Sequence, residues 1–532
     1  MRVPELGFVV FASLALVAAC GKGDVSEKVS QGKANVFRYP IVTTPTSLDP
    51  GIVQDGDTID LIQQVFEGLV AWGENNQPVP NLATGWTISP DGKTYTFTIK
   101  KGVKFHNGRE LEAEDFKFAM ERTCNPKFNS QTAENYLGDI VGVMDKLHGK
   151  AKNISGISAP DKTTLKITID KPRPHFLGKL TYPCAFAVAR EATPAGEIRS
   201  VKEMIGTGPY RAESYTPDQI FVLGANKDYH GGTISVDRIE RPVVKDAATR
   251  LNMYKNGEID LVQLERQDVK GLRNDPKLKD HLKFFVRPAI WYVGFNLKAY
   301  PPFADLRVRK AFTMAVDRES IVRDILDGIN VVADGILPPG VIGHRDNPPG
   351  FKYNPEEARK LLAEAGFAGG KGLPALELTF REQRPDIRVV AEAVASQLKK
   401  NLGVEVSLRT MEWRAYLEKH NAKKQVFFHM RWAADYLDPQ NFLSLMLSTN
   451  GNENKTYYSN GQVDALCEKA DADMNQEERL ALYQKAEDLI LADAAWIPIY
   501  FQKDAELINP RVQGLRESLF GHLPHTTVRL LP

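Results

Sequence analysis

The sequence of 532 residues predicts an α/β protein that carries an inserted antiparallel β piece. Two observations favour the α/β body: well-capped amphipathic helices occur in the C-terminal half, and short apolar strands follow them. A third observation, the threonine-rich alternating segments of the N-terminal half, indicates the antiparallel insertion. The chain is far longer than the roughly 250–300 residues at which one hydrophobic core stops growing, so we expect two or three lobes.

The antiparallel piece is predicted from two segments with period-two alternation. Residues 86–88 lead into a turn at residues 89–93, and residues 94–99 then alternate polar and apolar side chains. Residues 163–169 repeat that alternation after another turn. Strands of this kind bury one face and leave the other in water, as antiparallel sheets commonly do.

Helices are predicted further along the chain from their start and stop signals. Asn354 can cap a helix that has Pro355 at its first position, and Gly366 can end it. Two more predicted helices are each followed by an apolar strand, at residues 388–402 with 404–408 and 478–492 with 497–501.

The first twenty residues are typical of an export signal. Arg2 precedes an apolar run at residues 8–16, which is too short to span a bilayer. The ending Ala18-Ala19-Cys20 resembles a bacterial lipoprotein box, in which the cysteine is acylated and becomes the new N-terminus. We therefore expect residues 1–19 to be a signal peptide, Cys20 to carry lipid, and residues 20–35 to be a flexible tether. The alternative is a plain secretory signal with a chance cysteine, since Glu5 cancels the charge of Arg2.

Composition excludes several classes of function. Lysine and arginine together number 68 and the acids 67, which leaves no global field to attract nucleic acid. No later segment approaches the ~18 consecutive apolar residues of a membrane helix. The ten histidines and four cysteines show no metal-ligand spacing, and the common hydrolase, nucleotide-binding and zinc-protease motifs are absent from the sequence. We predict neither an enzyme nor a cofactor.

The cysteines other than Cys20 leave two alternatives open. Export permits a disulfide, and Cys124 with Cys184 is the more plausible pair because both fall in one candidate lobe. The alternative is that Cys124, Cys184 and Cys467 are three buried thiols.

Several segments, taken in order, resemble one family, the large solute-binding proteins of peptide- and nickel-type ABC importers (bacterial extracellular solute-binding protein family 5). The resemblance runs from about residue 48 to residue 501. It is carried by Leu48-Asp49-Pro50, Phe66-Glu67-Gly68-Leu69, Pro80-Asn81-Leu82-Ala83, Ser89-Pro90-Asp91-Gly92, Phe105-His106-Asn107-Gly108, Gly206-Thr207-Gly208-Pro209-Tyr210, Gly257-Glu258-Ile259-Asp260 and Trp432-Ala433-Ala434-Asp435-Tyr436.

The resemblance implies a type II periplasmic-binding-protein fold, in which a hinge joins two lobes and an additional α/β domain is inserted into the first. The implied division is lobe I from residues 36–66, 191–288 and 493–532, an inserted domain from residues 67–190, and lobe II from residues 289–492. Two strands near residues 289 and 493 would cross between the lobes as the hinge.

The resemblance is strongest to the oligopeptide-binding branch, and it implies a set of ligand-binding residues. Asp435 matches the aspartate that pairs with the α-ammonium group of the peptide in those proteins, and Trp413 and Trp432 match two tryptophans that line their ligand site. The other implied contacts are Tyr436, Arg384 for the carboxylate end with Arg381 as the alternative, and Gln54 and Gly56 opposite the ligand. Without the resemblance, Asp435 and Asp438 would be interpreted as a turn pair before Pro439.

The function implied is that of the substrate-binding component of an ABC importer, which captures short peptides by closure of two lobes and delivers them to a permease. The expected partners are the peptide, the permease and ATPase subunits, and a membrane reached through the lipid anchor. We expect an exported, periplasmic or cell-envelope, monomeric protein that binds no metal and no nucleic acid. The alternatives are a non-peptide solute (nickel chelate, haem or oligosaccharide) and a ligand-sensing receptor.

Overall fold

The computed structural model describes residues 35–382 and 385–532. The predicted signal peptide, Cys20, almost all of the predicted tether, and Arg384 lie outside the described residues. Among the described residues, no helix combines the length and the apolarity that crossing a bilayer requires.

The described elements alternate between helices and strands along most of the chain. The strands are β1 Val36–Arg38, β2 Val70–Trp72, β3 Pro78–Pro80, β4 Ala83–Ile88, β5 Thr94–Ile99, β6 Ile157–Asp161, β7 Thr164–Thr168, β8 Tyr210–Thr216, β9 Ile220–Ala225, β10 Arg238–Pro242, β11 Leu261–Gln263, β12 Leu282–Phe295, β13 Val331–Val332, β14 Leu376–Arg381, β15 Val406–Met411, β16 Phe427–Ala433, β17 Trp496–Ile508, β18 Val512–Gln513, β19 Glu517–Ser518, β20 Gly521–His522 and β21 Arg529–Leu530. The α-helices are α1 Gly56–Val65, α2 Ala113–Thr123, α3 Ala133–Leu137, α4 Val143–Leu147, α5 Phe176–Lys179, α6 Ala247–Lys255, α7 Arg266–Leu272, α8 Leu306–Met314, α9 Arg318–Ser320, α10 Pro355–Glu364, α11 Pro385–Leu402, α12 Trp413–Asn421, α13 Ser444–Leu447, α14 Gly461–Ala472 and α15 Gln476–Ala492.

A seven-stranded mixed sheet is the largest in the described structure, with the order β11-β17-β12-β16-β14-β15 and β13 paired to β17. The long strands β12 and β17 run antiparallel, and their register is irregular between Val286 and Ile290. Successive residues of β12 face opposite sides of the sheet. Trp291 and Val293 enter one hydrophobic cluster, and Ile290 and Tyr292 enter another. The sheet is therefore covered on both faces.

The predicted antiparallel piece is present as the four-stranded sheet β4-β5-β7-β6. Its strand β5 has the predicted bounds, and its alternate residues Tyr95, Phe97 and Ile99 are buried. Those side chains belong to a hydrophobic cluster whose fully buried members run from Leu69 to Ala189. The hairpin prediction is confirmed.

The predicted helices are also present. Asn354 caps α10, where its Oδ1 accepts a hydrogen bond of 3.1 Å from the backbone N of Glu357. The helix α15 begins two residues before the predicted start and is capped by Asn475. The strands that follow the second and third predicted helices are β15 and the much longer β17.

A buried ion pair fastens the start of the described chain to α2. The carboxylate of Asp49 accepts hydrogen bonds from Arg122 Nη2 at 2.5 Å and Nη1 at 3.1 Å, and from the backbone N of Ile198 at 2.8 Å. Both side chains are almost completely buried. Residues 35–532 form one compact unit, so the lobe boundaries given above remain a prediction.

The Cys124–Cys184 disulfide is not formed in this structure. Cys124, Cys184 and Cys467 are free thiols, and all three are buried. Cys124 and Cys184 lie in the same apolar cluster, where burial raises the pKa of the Cys124 thiol to about 12 and keeps it protonated. The structure thus has the three buried thiols that the sequence left as the alternative.

Candidate ligand-binding site

The candidate site is a cavity of about 760 Å³, a size typical of small-molecule sites. Its lining comes from distant parts of the chain. The contributing segments are the start of α1, the β2–β3 hairpin, residues around Tyr136 and Tyr182, the β12–β17 crossing at Arg287 and Asp504, the end of β16 with the loop that follows, and residues 516–526. Gln54, Gly56 and Asp435 all line it, so the structure brings these three predicted residues together.

Asp435 lies in the loop after β16 and is mostly buried. Its backbone N donates a hydrogen bond of 3.2 Å to Asn441 Oδ1, which fixes the loop. Its carboxylate lies beside the polar side chains of Asn441 and Tyr136. No cation of the described residues forms an ion pair with it. Burial raises the pKa of Asp435 to about 6, and the polar side chains of Asn441 and Tyr136 partly offset that rise. The charge of Glu453 also raises this pKa, and the charge of Lys179 lowers it.

Two tyrosines connect Asp435 to the segment that holds Gln54 and Gly56. The rings of Tyr136 and Tyr182 stack at 3.7 Å between centroids, and Tyr182 donates a hydrogen bond of 3.2 Å to the backbone O of Val53. Both tyrosines line the cavity. Sequence reasoning missed them, and no pattern in the sequence points to either.

The tryptophans of the predicted site lie elsewhere. Side chains alternate along β16, so Arg431 and Ala433 line the cavity while Trp432 faces the other side of the sheet. There Trp432 Nε1 donates to the backbone O of Asn441 at 2.9 Å and to its Oδ1 at 3.0 Å. Trp413 starts α12, where the Arg381 guanidinium lies 4.6 Å from its ring centroid. Neither indole lines the cavity, and a ligand contact by either stays a prediction.

Tyr436 faces away from the large cavity. Its ring stacks on His175 at 5.3 Å, and Lys179 Nζ lies 5.6 Å from the ring centroid. Together with Asp438 and Arg479 it lines a second cavity of about 200 Å³. Tyr436 thus packs the Asp435 loop against α5, and its contact with a ligand stays a prediction.

Most of the acids that line the large cavity have a basic partner. Asp60 pairs with Arg241 at 2.6 Å and Asp504 with Arg287 at 2.6 Å. Glu67 pairs with His230, and Glu506 with His522. Of the carboxylates in this lining, Asp435 and Asp57 have no ion-pair partner within the described chain. The described residues include no group of three histidine, cysteine or acidic side chains placed to hold a metal ion.

Acid should weaken the binding of an ammonium ligand at this site. Asp435 takes up a proton as the pH falls through about 6, and the neutral carboxyl group no longer attracts a cation. An α-ammonium group keeps its charge up to roughly pH 8, so the ligand does not change over this range. We expect the Kd of a ligand with a free α-ammonium group, measured by calorimetry, to rise about tenfold between roughly pH 7.5 and roughly pH 5. The Asp435→Asn variant should show no such slope, and an equal slope in both proteins would assign the titration to another group.

Comparisons with known proteins agree over nearly the whole chain. A family model, "Bacterial extracellular solute-binding proteins, family 5 Middle", matches residues 77–454. Oligopeptide-binding protein OppA of Bacillus subtilis is 29% identical over 521 residues, which cover 94% of each chain. Probable deoxycholate-binding periplasmic protein YgiS of Escherichia coli is 31% identical over 515 residues, again 94% of each. Among solved structures, the unliganded open form of the MppA periplasmic murein tripeptide binding protein matches with a TM-score of 0.81 at 27% identity, covering 94% of this chain and 98% of that one.

Proposed function

Since this chain belongs to family 5 of the bacterial extracellular solute-binding proteins, we propose that it is the substrate-binding component of an ABC importer and that its cargo is short peptides. Its fold is the type II periplasmic-binding-protein fold, as the family resemblance implies. One observation carries the choice of cargo: Asp435 is a mostly buried carboxylate that lines the large cavity without an ion-pair partner among the described residues.

A peptide has an α-ammonium group at one end, and enclosing that group in a cavity removes its water. The loss costs several kcal/mol unless an opposite charge replaces the water. Asp435 supplies that charge, and the hydrogen bond from its backbone N to Asn441 Oδ1 fixes the loop that carries it. The ligand-free protein bears the cost of ionising Asp435 inside the cavity, and an ammonium ligand relieves it.

Capture proceeds by closure of two lobes about a hinge. The cavity lies between Gln54 and Gly56, in predicted lobe I, and Asp435, in predicted lobe II. A ligand that contacts both sides favours the closed form by its differential affinity for the two states. The closed protein then docks on the permease and ATPase subunits of its importer. The protein is exported as a monomer and tethered by lipid on Cys20, and the proposal includes no catalytic step.

The alternative cargoes differ from peptides in charge. A bile acid such as deoxycholate carries a carboxylate, and an unpaired Asp435 would repel it. Oligosaccharides carry no ammonium group for Asp435 to neutralise. The unpaired acid therefore favours peptide over these solutes.

Melting curves with candidate cargoes test the proposal. A free tripeptide at about 100 times its Kd should stabilise the protein by about 2.7 kcal/mol and raise its Tm accordingly. Deoxycholate, haem, a nickel chelate and maltotriose at the same concentration should leave the Tm unchanged. A Tm rise with one of these and none with a diverse set of free peptides would overturn the peptide assignment.

A further inference from the structure

An aromatic ring stands exposed inside the large cavity. Phe520 lies between the paired strands β19 and β20 near the C-terminus, is 38% exposed, and lines the cavity. Of the eight large apolar side chains that are exposed in the described ranges, it is the one in this lining. Its ring centroid lies 5.3 Å from that of Trp72, which ends β2 and also lines the cavity.

Leu519, which precedes Phe520, is held in place by two contacts near this pair of rings. The backbone N of Leu519 donates a hydrogen bond of 2.8 Å to Asn76 Oδ1, which ties the β19–β20 turn to the β2–β3 hairpin. The Leu519 side chain is buried in a hydrophobic cluster against which Trp72 also packs. Phe520 is thus held at the cavity through Leu519, the residue before it in the chain.

Trp72 borders a second open space, the cavity of about 200 Å³ described above. Trp72 lines the smaller cavity as well as the larger one, so its indole separates the two. Gly178 faces the same indole, where an added Cβ would lie 3.4 Å from the ring. Val79 and Pro80 of β3 extend the apolar lining beside Trp72 on the side of the large cavity.

We propose that Trp72 and Phe520 form an apolar subsite that receives one large apolar or aromatic side chain of the bound peptide. The proposal rests on the proposed peptide-binding function and adds a side-chain preference to it. Asp435 neutralises the ammonium group of any peptide, whatever the sequence of that peptide. The two adjacent rings contribute binding free energy only when an apolar side chain covers them. Burying a side chain of phenylalanine size should strengthen binding about ten- to a hundredfold over alanine.

Calorimetry with a matched peptide set tests the subsite. The peptides are trialanine and the tripeptides in which phenylalanine or aspartate replaces each alanine in turn, all with free N-termini. The proteins are the wild type, Phe520→Ala, and Phe284→Ala as the control. Phe284 is likewise 38% exposed, but it lies on β12 outside the cavity lining, under the Arg273 guanidinium.

We expect one phenylalanine position to bind the wild type at least tenfold more tightly than trialanine does, and aspartate at that position to give no gain. Phe520→Ala should lose that advantage while it still binds trialanine, and Phe284→Ala should keep it. Equal binding of all the peptides, or an advantage that survives in Phe520→Ala, would overturn the subsite and leave the peptide function standing. Failure of every peptide to bind any of the proteins would overturn the peptide function itself.

Discussion

The Asp435→Asn variant will bind short peptides about 10²–10⁴ more weakly than the wild type, equivalent to roughly 3–5 kcal/mol. Asparagine preserves the size of the side chain and can still lie beside Tyr136 and Asn441, the polar neighbours of the carboxylate. It removes only the charge. An ammonium group enclosed in the cavity would then have no ion-pair partner, because the other lining acids except Asp57 are paired within the described structure. Calorimetry or fluorescence titration with a tripeptide measures the change.

Two controls separate a lost charge from a damaged fold. Asp346→Asn changes an acid whose side chain is 95% exposed, and peptide affinity should not change. The second control is the Tm of ligand-free Asp435→Asn. Because burial raises the folded-state pKa of Asp435 above its unfolded value, the ionised carboxylate opposes folding, fully above about pH 6 and not at all below roughly pH 4. The ligand-free variant should therefore melt no lower than the wild type at neutral pH. A lower Tm together with lost binding would indicate damage to the fold instead.

Local signals in the sequence predict the elements that depend on local physics. Asn354 caps its helix through one hydrogen bond to the backbone three residues on, so neighbouring residues suffice to predict it. The strand Thr94–Ile99 alternates buried and less buried side chains, and its bounds follow from that alternation. The family resemblance adds Asp435, Gln54 and Gly56, which the structure places around one cavity.

The remainder of the site depends on contacts between distant segments. Tyr136 and Tyr182 meet at 3.7 Å only because α3 and the chain after α5 pack in one cluster, and neither residue carries a sequence signal of its own. The position of Trp432 follows from β16, which pairs with β12 on one side and β14 on the other. A central strand covered on both faces shows no clear alternation of polarity, so sequence patterns did not reveal which of its residues face the cavity. The free thiols of Cys124 and Cys184 show the same limit, since cysteine spacing does not fix a pairing.

Acetylation of the peptide N-terminus should weaken binding as strongly as Asp435→Asn does, by about 10²–10⁴. The acetyl group converts the ammonium into a neutral amide and leaves the rest of the peptide unchanged. It also places an apolar methyl group and a carbonyl oxygen beside an ionised carboxylate, which gives Asp435 no donor that matches its charge. The two changes remove the same ion pair from opposite sides, so applying both together should cost little more than either one alone.

Isothermal titration of the wild type with a tripeptide and with its N-acetylated form, both at about pH 7.5, tests the central claim most directly. The account predicts measurable heat and a defined Kd for the free peptide, and for the blocked peptide a Kd at least a hundredfold higher. Equal affinity for the two forms would contradict the claim that Asp435 captures the α-ammonium group.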